Sequence, residues 1–265
     1  MVIDKEGMSL YVDLMKKVLT ASIYDESGWE NKSRSSKNLL IRYLENKSIL
    51  LVKVKDFDAS KREEGRDWPF FGYTMAGHKR LNNVQKCLED ILQKDVPGDL
   101  IETGAWRGGT TIFMRALLKA YGVTDRKVWV ADSFEGLPVP KNKADGKDLS
   151  QVDYLKVSLE EVKSNFIKFG LLDEQVEFLK GWFCDTLPVA PINEIAILRL
   201  DGDLYSSTMD ALENLYHKVH KGGYVIVDDY YSWAACRRAV TDFLEKKEIQ
   251  PEIMTIDWTG AFWQV

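Results

Sequence analysis

From residue 99 onward the sequence alternates short apolar runs with segments of helical periodicity, and this alternation restricts the fold more than any other feature. The apolar runs cover 99–104, 127–134, 176–183, 195–203 and 222–230, and helical segments at 109–121, 158–169, 206–220 and 233–247 lie between them. Strands separated by helices form right-handed βαβ units on a parallel sheet, with the site expected at the carboxyl ends of the strands. The end of the chain breaks the rule. Runs 251–257 and 260–265 are separated only by Trp258 and Thr259, too short a gap for a helical crossover, so they are expected to pair antiparallel. The expectation is an α/β, Rossmann-like, mostly parallel seven-stranded sheet whose last strand is antiparallel.

Upstream, apolar periodicity predicts helices over 9–22, 36–51 and 79–93, with a polar stretch at 53–66 (KVKDFDASKREEGR) read as a mobile loop. The chain is therefore divided into a helical extension and lid, 1–75, and one catalytic domain, 76–265. Leu10, Leu14, Val18 and Leu19 on the first helix, and Leu39, Leu40, Tyr43 and Leu44 on the second, lie outside the core alternation and call for a partner surface, for which a homodimer is expected. Lys plus Arg number 36 against 41 Asp plus Glu, without the basic surplus a phosphate backbone requires, so nucleic acid is excluded as a substrate. Cys87, Cys184 and Cys236 are far apart and form no CxxC pair, which points to reduced, mostly packed thiols. The first residues lack a basic segment followed by an apolar run, and no stretch reaches transmembrane length, so a cytoplasmic location without a membrane partner is expected.

The run DLIETGAWRGGTT puts Glu102, Thr103, Gly104, Ala105 and Trp106 where the first strand turns into a helix, with glycines that let a ligand approach the backbone. It is not GxGxxG: Arg107 stands where a dinucleotide fold would bring up a pyrophosphate. An acid at this strand end suits a cationic ligand without phosphates, so Glu102 is read as the group for its positive end. Asp132, 30 residues on, is near the spacing at which an acid reaches a ribose hydroxyl, with Ser133 and Phe134 beside it. Gly181 and Trp182, after the third strand, offer an aromatic face to adenine. A solvated helix-capping aspartate and core aromatics are the alternatives at these positions. Together with the antiparallel ending, the pattern resembles the S-adenosylmethionine methyltransferase fold more than a dehydrogenase.

The fourth and fifth strands end in LRLDGD and VIVDD, so Asp201, Asp203, Asp228 and Asp229 are expected to share one mouth. Like charges that close repel and raise one another's pKa unless a cation neutralises them. An all-carboxylate set favours Mg²⁺, with Mn²⁺ or Ca²⁺ as substitutes. Helix N-caps and loop acids are the alternative.

DWPFFGYTMAGHKRLNNVQ (67–85), IETGAWRGGTT (101–111), ADSFEGLP (131–138), KGWFCDTLP (180–188), LRLDGDLYSST (199–208) and VDDYYSW (227–233) resemble the macrocin O-methyltransferase family, the metal-dependent sugar O-methyltransferases of natural-product biosynthesis. The resemblance implies that Asp201, Asp228 and Asp229 hold Mg²⁺, with Asp201 also reaching S-adenosyl-L-methionine, and that Asp203 is the general base. It further implies that Tyr73, Thr74 and Met75 help cover the cofactor; His78 receives no role. The expected acceptor is a small molecule with vicinal hydroxyls, a glycoside first and a catechol as the alternative. Segments 25–60 and 141–154, where the acceptor is expected, carry no recognisable motif. The insertion 136–172 and the stretch 53–66 are expected to close over it.

Overall fold

The alternation folds as one seven-stranded sheet with helices on both faces. The computed structural model describes residues 5–24, 29–31, 43–44, 47, 52–54, 56–67 and 69–265. Helix α1 (Lys5–Leu19), the strand pair β1 (Trp29–Asn31) and β2 (Val52–Val54), and helices α2 (Ala59–Glu64) and α3 (His78–Gln93) precede the sheet. Then follow β3 (Asp99–Thr103), α4 (Gly109–Ala120), β4 (Val128–Asp132), α5 (Leu159–Lys168), β5 (Val176–Lys180), the single turn α6 (Phe183–Thr186), β6 (Ile195–Leu200), α7 (Tyr205–Leu215), β7 (Val219–Val227) and α8 (Ala234–Lys246). The chain closes on β8 (Met254–Thr255) and β9 (Ala261–Gln264).

The order β5-β4-β3-β6-β7-β9-β8 is parallel from β5 to β7, whereas β9 runs antiparallel to β7 and β8 antiparallel to β9. Alternation along each strand feeds two cores. Leu100, Val128, Val130 and Ile197 point to the layer of α3 and α4, while Ile101, Trp129, Ala131 and Leu198 point to the layer of α7 and α8. All six residues of β6 are buried, as a central parallel strand covered on both faces requires. Since β3 and β6 lie side by side where the chain switches direction of winding, their carboxyl ends open the crevice in which such sheets bind ligands.

The N-terminal segment docks on this domain. Val12, Met15 and Leu19 of α1 enter the same core as Ile112 and Phe113 of α4, while Leu10 and Leu14 on the outer face remain 65% and 49% exposed. The helix expected over 36–51 lies outside the described residues except at 43, 44 and 47. The expectation of a loop at 53–66 is corrected: β2 pairs with β1, and α2 starts at Asp58, whose side chain accepts from Lys61 N at 3.1 Å, and stops at Gly65 with φ 62°. Arg62 explains why so polar a segment packs. Only 2% exposed, it donates through Nε to Asp67 at 2.8 Å and through Nη1 to Thr20 O at 2.8 Å. The closing strands are shorter than expected because 256–260 form a loop in which the Asp257 carboxylate accepts from Thr259 N at 2.9 Å and Gly260 N at 2.7 Å. Among the described residues, no helix is long and apolar enough to cross a membrane.

Candidate active site

A cavity of about 360 Å³ opens over the carboxyl ends of the parallel strands. Nine of the expected site residues line it: Met75, Gly104, Trp106, Asp132, Ser133, Gly181, Trp182, Asp201 and Asp203. The insertion after β4 forms another wall through Leu137, Pro138, Val139 and Lys141, whereas none of the described residues 56–66 lines the cavity. Asp145, 1% exposed, fixes that wall by accepting from Lys141 N and from Ser206 N, at the start of α7, each at 2.7 Å. Of the three thiols, Cys87 and Cys236 are buried, while Cys184 lies on the cavity wall.

The turn after β3 has its shape for two reasons. Gly104 has φ 98°, and a Cβ there would stand 1.9 Å from Asp201 O, so the glycine is demanded by the neighbouring strand end as well as by the backbone angle. Asp132 then knits the turn to β4: one carboxylate oxygen accepts from Ala105 N at 2.7 Å and Trp106 N at 3.3 Å, the other from Phe134 N at 2.7 Å. Trp106 donates Nε1 to Tyr154 O at 2.9 Å, tying the turn to the insertion. The segment before α3 lies against the same place. Gly109 N donates to Tyr73 O at 2.9 Å, and a Cβ on Gly109 would meet that oxygen at 2.4 Å.

Other expected residues stand behind the wall. Thr74 is buried with its hydroxyl 3.2 Å from that of Thr110, Thr103 donates to Arg199 O at 3.4 Å, and Ala105 and Phe134 are packed. Glu102 departs most from expectation. It is 1% exposed and ion-paired to Arg199, which stands directly opposite it on β6, yet burial pushes its carboxyl up to about 8 and its Oε2 has no hydrogen-bond partner among the described residues; it does not line the cavity.

Behind the floor lies a buried charge cluster. Arg199 pairs with Glu102, Asp201 (2.7 Å) and Asp228, and Arg80 pairs with Asp228 and Asp257 (3.1 Å). Asp228 thus has a guanidinium on each oxygen. Burial pushes its carboxyl up, but Arg199 and Arg80 outweigh it and hold the group below the ordinary carboxylate value. No other acid of the cluster pairs with both guanidiniums. Burial, followed by Asp228, pushes Asp201 up to about 8; burial and Asp201 push Asp203 up to about 7; burial, Asp203 and Asp228 push Asp229 far above its usual range. Asp203 and Asp229 share a hydrogen bond, and Asp203 holds a left-handed φ of 55°, the kind of strain that persists where the surroundings over-determine a site. Asp201, Asp228 and Asp229 each bring an oxygen within 4.8 Å of the others. An oxygen-only set with more carboxylates than guanidiniums fits a hard divalent cation.

A family model, Macrocin-O-methyltransferase (TylF), matches residues 8–265. The chain belongs to this family. Demethyldecarbamoylnovobiocin O-methyltransferase of Streptomyces niveus is 48% identical over 261 residues, covering 97% of this chain and 93% of that protein. A second relative, 8-demethyl-8-(2,3-dimethoxy-alpha-L-rhamnosyl)-tetracenomycin-C 4'-O-methyltransferase of Streptomyces olivaceus, is 48% identical over 270 residues, covering 98% of this chain and 94% of that protein. The solved structure of the O-methyltransferase NovP superposes with a TM-score of 0.84 at 47% identity, covering 97% and 98% of the two chains. This macrocin O-methyltransferase family member is an S-adenosylmethionine-dependent O-methyltransferase.

Sequence reasoning missed Arg80 and Arg199 in this family member. For Arg199 a signal existed: an arginine inside the apolar run IAILRL cannot be buried without partner acids, and Glu102 is its neighbour across the β3/β6 register. Arg80 carried no such signal, because it opens a helix, where a charged residue is ordinary, and Asp228 lies 148 residues away in the chain.

Proposed function

We propose that this enzyme methylates a sugar hydroxyl of a glycosylated natural product, with Asp203 as general base and Mg²⁺ held by Asp201, Asp228 and Asp229. The observation that carries the reading is that Asp201 and Asp203 stand on the wall of the cavity that Trp106, Asp132 and Trp182 also line. Methyl donor and acid pair therefore share one space. Asp132 reaches the ribose of the donor, Gly181 and Trp182 flank its adenine, and Met75 covers it, with Thr74 supporting Met75 from behind. The sugar assignment draws on the rhamnosyl acceptor in the name of one relative.

The acceptor oxygen attacks the sulfonium methyl carbon in line, the carbon–sulfur bond breaks, and S-adenosylhomocysteine leaves as a neutral sulfide. The proton of the reacting hydroxyl passes to the Asp203 carboxylate, a contribution on the order of 10²- to 10⁴-fold. When bound, Mg²⁺ supplies the Lewis acidity that a poorly acidic sugar hydroxyl lacks and favours an acceptor with two adjacent oxygens. The insertion wall excludes water and holds the acceptor in line with the donor. A methyl-transfer assay over a panel of glycosides, their aglycones and a simple catechol, run with Mg²⁺ and with excess EDTA, tests this. Turnover of glycosides only, abolished by EDTA, is expected. Full activity in EDTA removes the metal, and methylation of the catechol but of no glycoside removes the sugar.

A further inference from the structure

We propose that Arg80 is a positioning residue that joins the segment covering the cofactor to the carboxylate cluster, making the two one mechanical unit. Its side chain is 5% exposed at the start of α3 and spends its donors on four separate parts of the chain. Nη1 donates to Asp228 Oδ2 at the end of β7, and Nε donates to Asp257 Oδ2 in the β8–β9 loop at 3.1 Å. Nη2 donates to Met75 O at 3.2 Å and to Gly65 O at 3.4 Å. Met75 lines the cavity, so one guanidinium touches both the cofactor cover and an acid of the cluster.

The surroundings are built to backbone contact. A Cβ on Gly65 would stand 2.2 Å from Arg80 Nη2, and one on Gly77 would stand 2.2 Å from Gly65 N. The end of α2 is held there from other sides too, since Trp258 Nε1 donates to Glu64 O and Lys79 Nζ pairs with Glu64, both at 2.8 Å. Only a planar fork with five donors reaches these acceptors together; a lysine ammonium is a point charge on a flexible stem and reaches one or two. Displacing Arg80 therefore frees the Met75 carbonyl and turns Asp228 at the same time. The part concerning Asp228 rests on its proposed role as a metal ligand, whereas the part concerning Met75 does not.

The test measures two affinities on one protein: S-adenosylhomocysteine by calorimetry, and Mn²⁺ by counting the free ion in electron paramagnetic resonance. Arg80→Gln is expected to weaken both by about 10- to 100-fold, the usual effect of removing an outer-shell partner. Arg80→Lys, which keeps the charge and serves where the glutamine variant does not fold, is expected to weaken both as well. Added guanidinium ion restores part of both affinities in Arg80→Ala. Arg115→Gln, which breaks the ion pair of another buried arginine (to the half-buried Asp173, 2.6 Å), lowers stability but leaves both affinities unchanged. Wild-type affinity for S-adenosylhomocysteine in the Arg80 variants overturns the proposal, and so does its loss with Mn²⁺ affinity intact. If the wild-type protein binds no Mn²⁺, the metal role of Asp228 fails, and the S-adenosylhomocysteine measurement alone decides whether Arg80 positions the cover.

Discussion

On the inner side of the strand ends, Glu102 and Asp228 face Arg199 and Arg80; Asp203, on the cavity wall, shares a hydrogen bond with Asp229, and Asp201, also on that wall, pairs with Arg199. The residue types are nearly the same, but Asp228 is held below the ordinary carboxylate value and the others are pushed above it. Asp228, with a guanidinium on each oxygen, is held ionised, whereas burial pushes Glu102, which has Arg199 alone, up to about 8. Acids pushed up on the cavity wall are kept near the point of taking or releasing a proton, or of accepting a cation, which is the condition chemistry needs. Burial alone does not separate these acids. The second guanidinium, Arg80 on Asp228, does.

The largest effect that bears on this comparison is expected on the cavity side. Asp203→Asn keeps the shape and removes the base, so kcat should fall by roughly 10²- to 10⁴-fold while S-adenosylhomocysteine binding by calorimetry stays at the wild-type value. Retention of kcat would show that the unpaired acids are not where the proton goes. Next in size is the inner side. Arg199→Met strands Glu102, Asp201 and Asp228 without a counter-charge, and removal of one partner from a buried pair costs about 3 to 5 kcal/mol. Urea unfolding should register that loss, and a variant as stable as the wild type would mean the inner acids are not structural.

The smallest effect is a pH dependence. In metal-free protein Asp201 and Asp203 hold folded-state values of about 8 and about 7, above the ordinary 3.8 of the unfolded chain. The folded state then keeps protons the unfolded chain has already released, so their contribution to stability shrinks as pH rises from about 4 through about 8. The melting temperature in EDTA should decline across that window, and excess Mg²⁺ should flatten the decline. A melting temperature that climbs through the window in EDTA would contradict the uncompensated charge on the cavity side.

Much of the fold was legible because its signals are local. Periodicity over five to fifteen residues separates strand from helix, and the two-residue gap at Trp258 and Thr259 forbids a crossover. The acids at 201, 203, 228 and 229 were legible as a group because consecutive strand ends of such a sheet come together. Two readings went astray for related reasons. The segment 53–66 reads as a loop on polarity alone, yet Arg62 is buried against Asp67 and Thr20 O, and Asp58 and Gly65 bound a short helix. Glu102 reads as a ligand for a cationic cofactor because its strand end faces the site, but the side chain alternates to Arg199.

By itself the sequence determined the βαβ alternation, the antiparallel ending, the glycine turn after β3 and the presence of acids at two neighbouring strand ends, since each depends only on residues close in the chain. Only the tertiary structure decided which acids carry a counter-charge, that Asp145 pins the insertion over the cavity, and that Arg80 joins Met75, Gly65, Asp228 and Asp257. The reason is physical: the state of a buried carboxylate is set by the charges within a few ångströms of it, and Arg80 reaches Asp228 across 148 residues of chain.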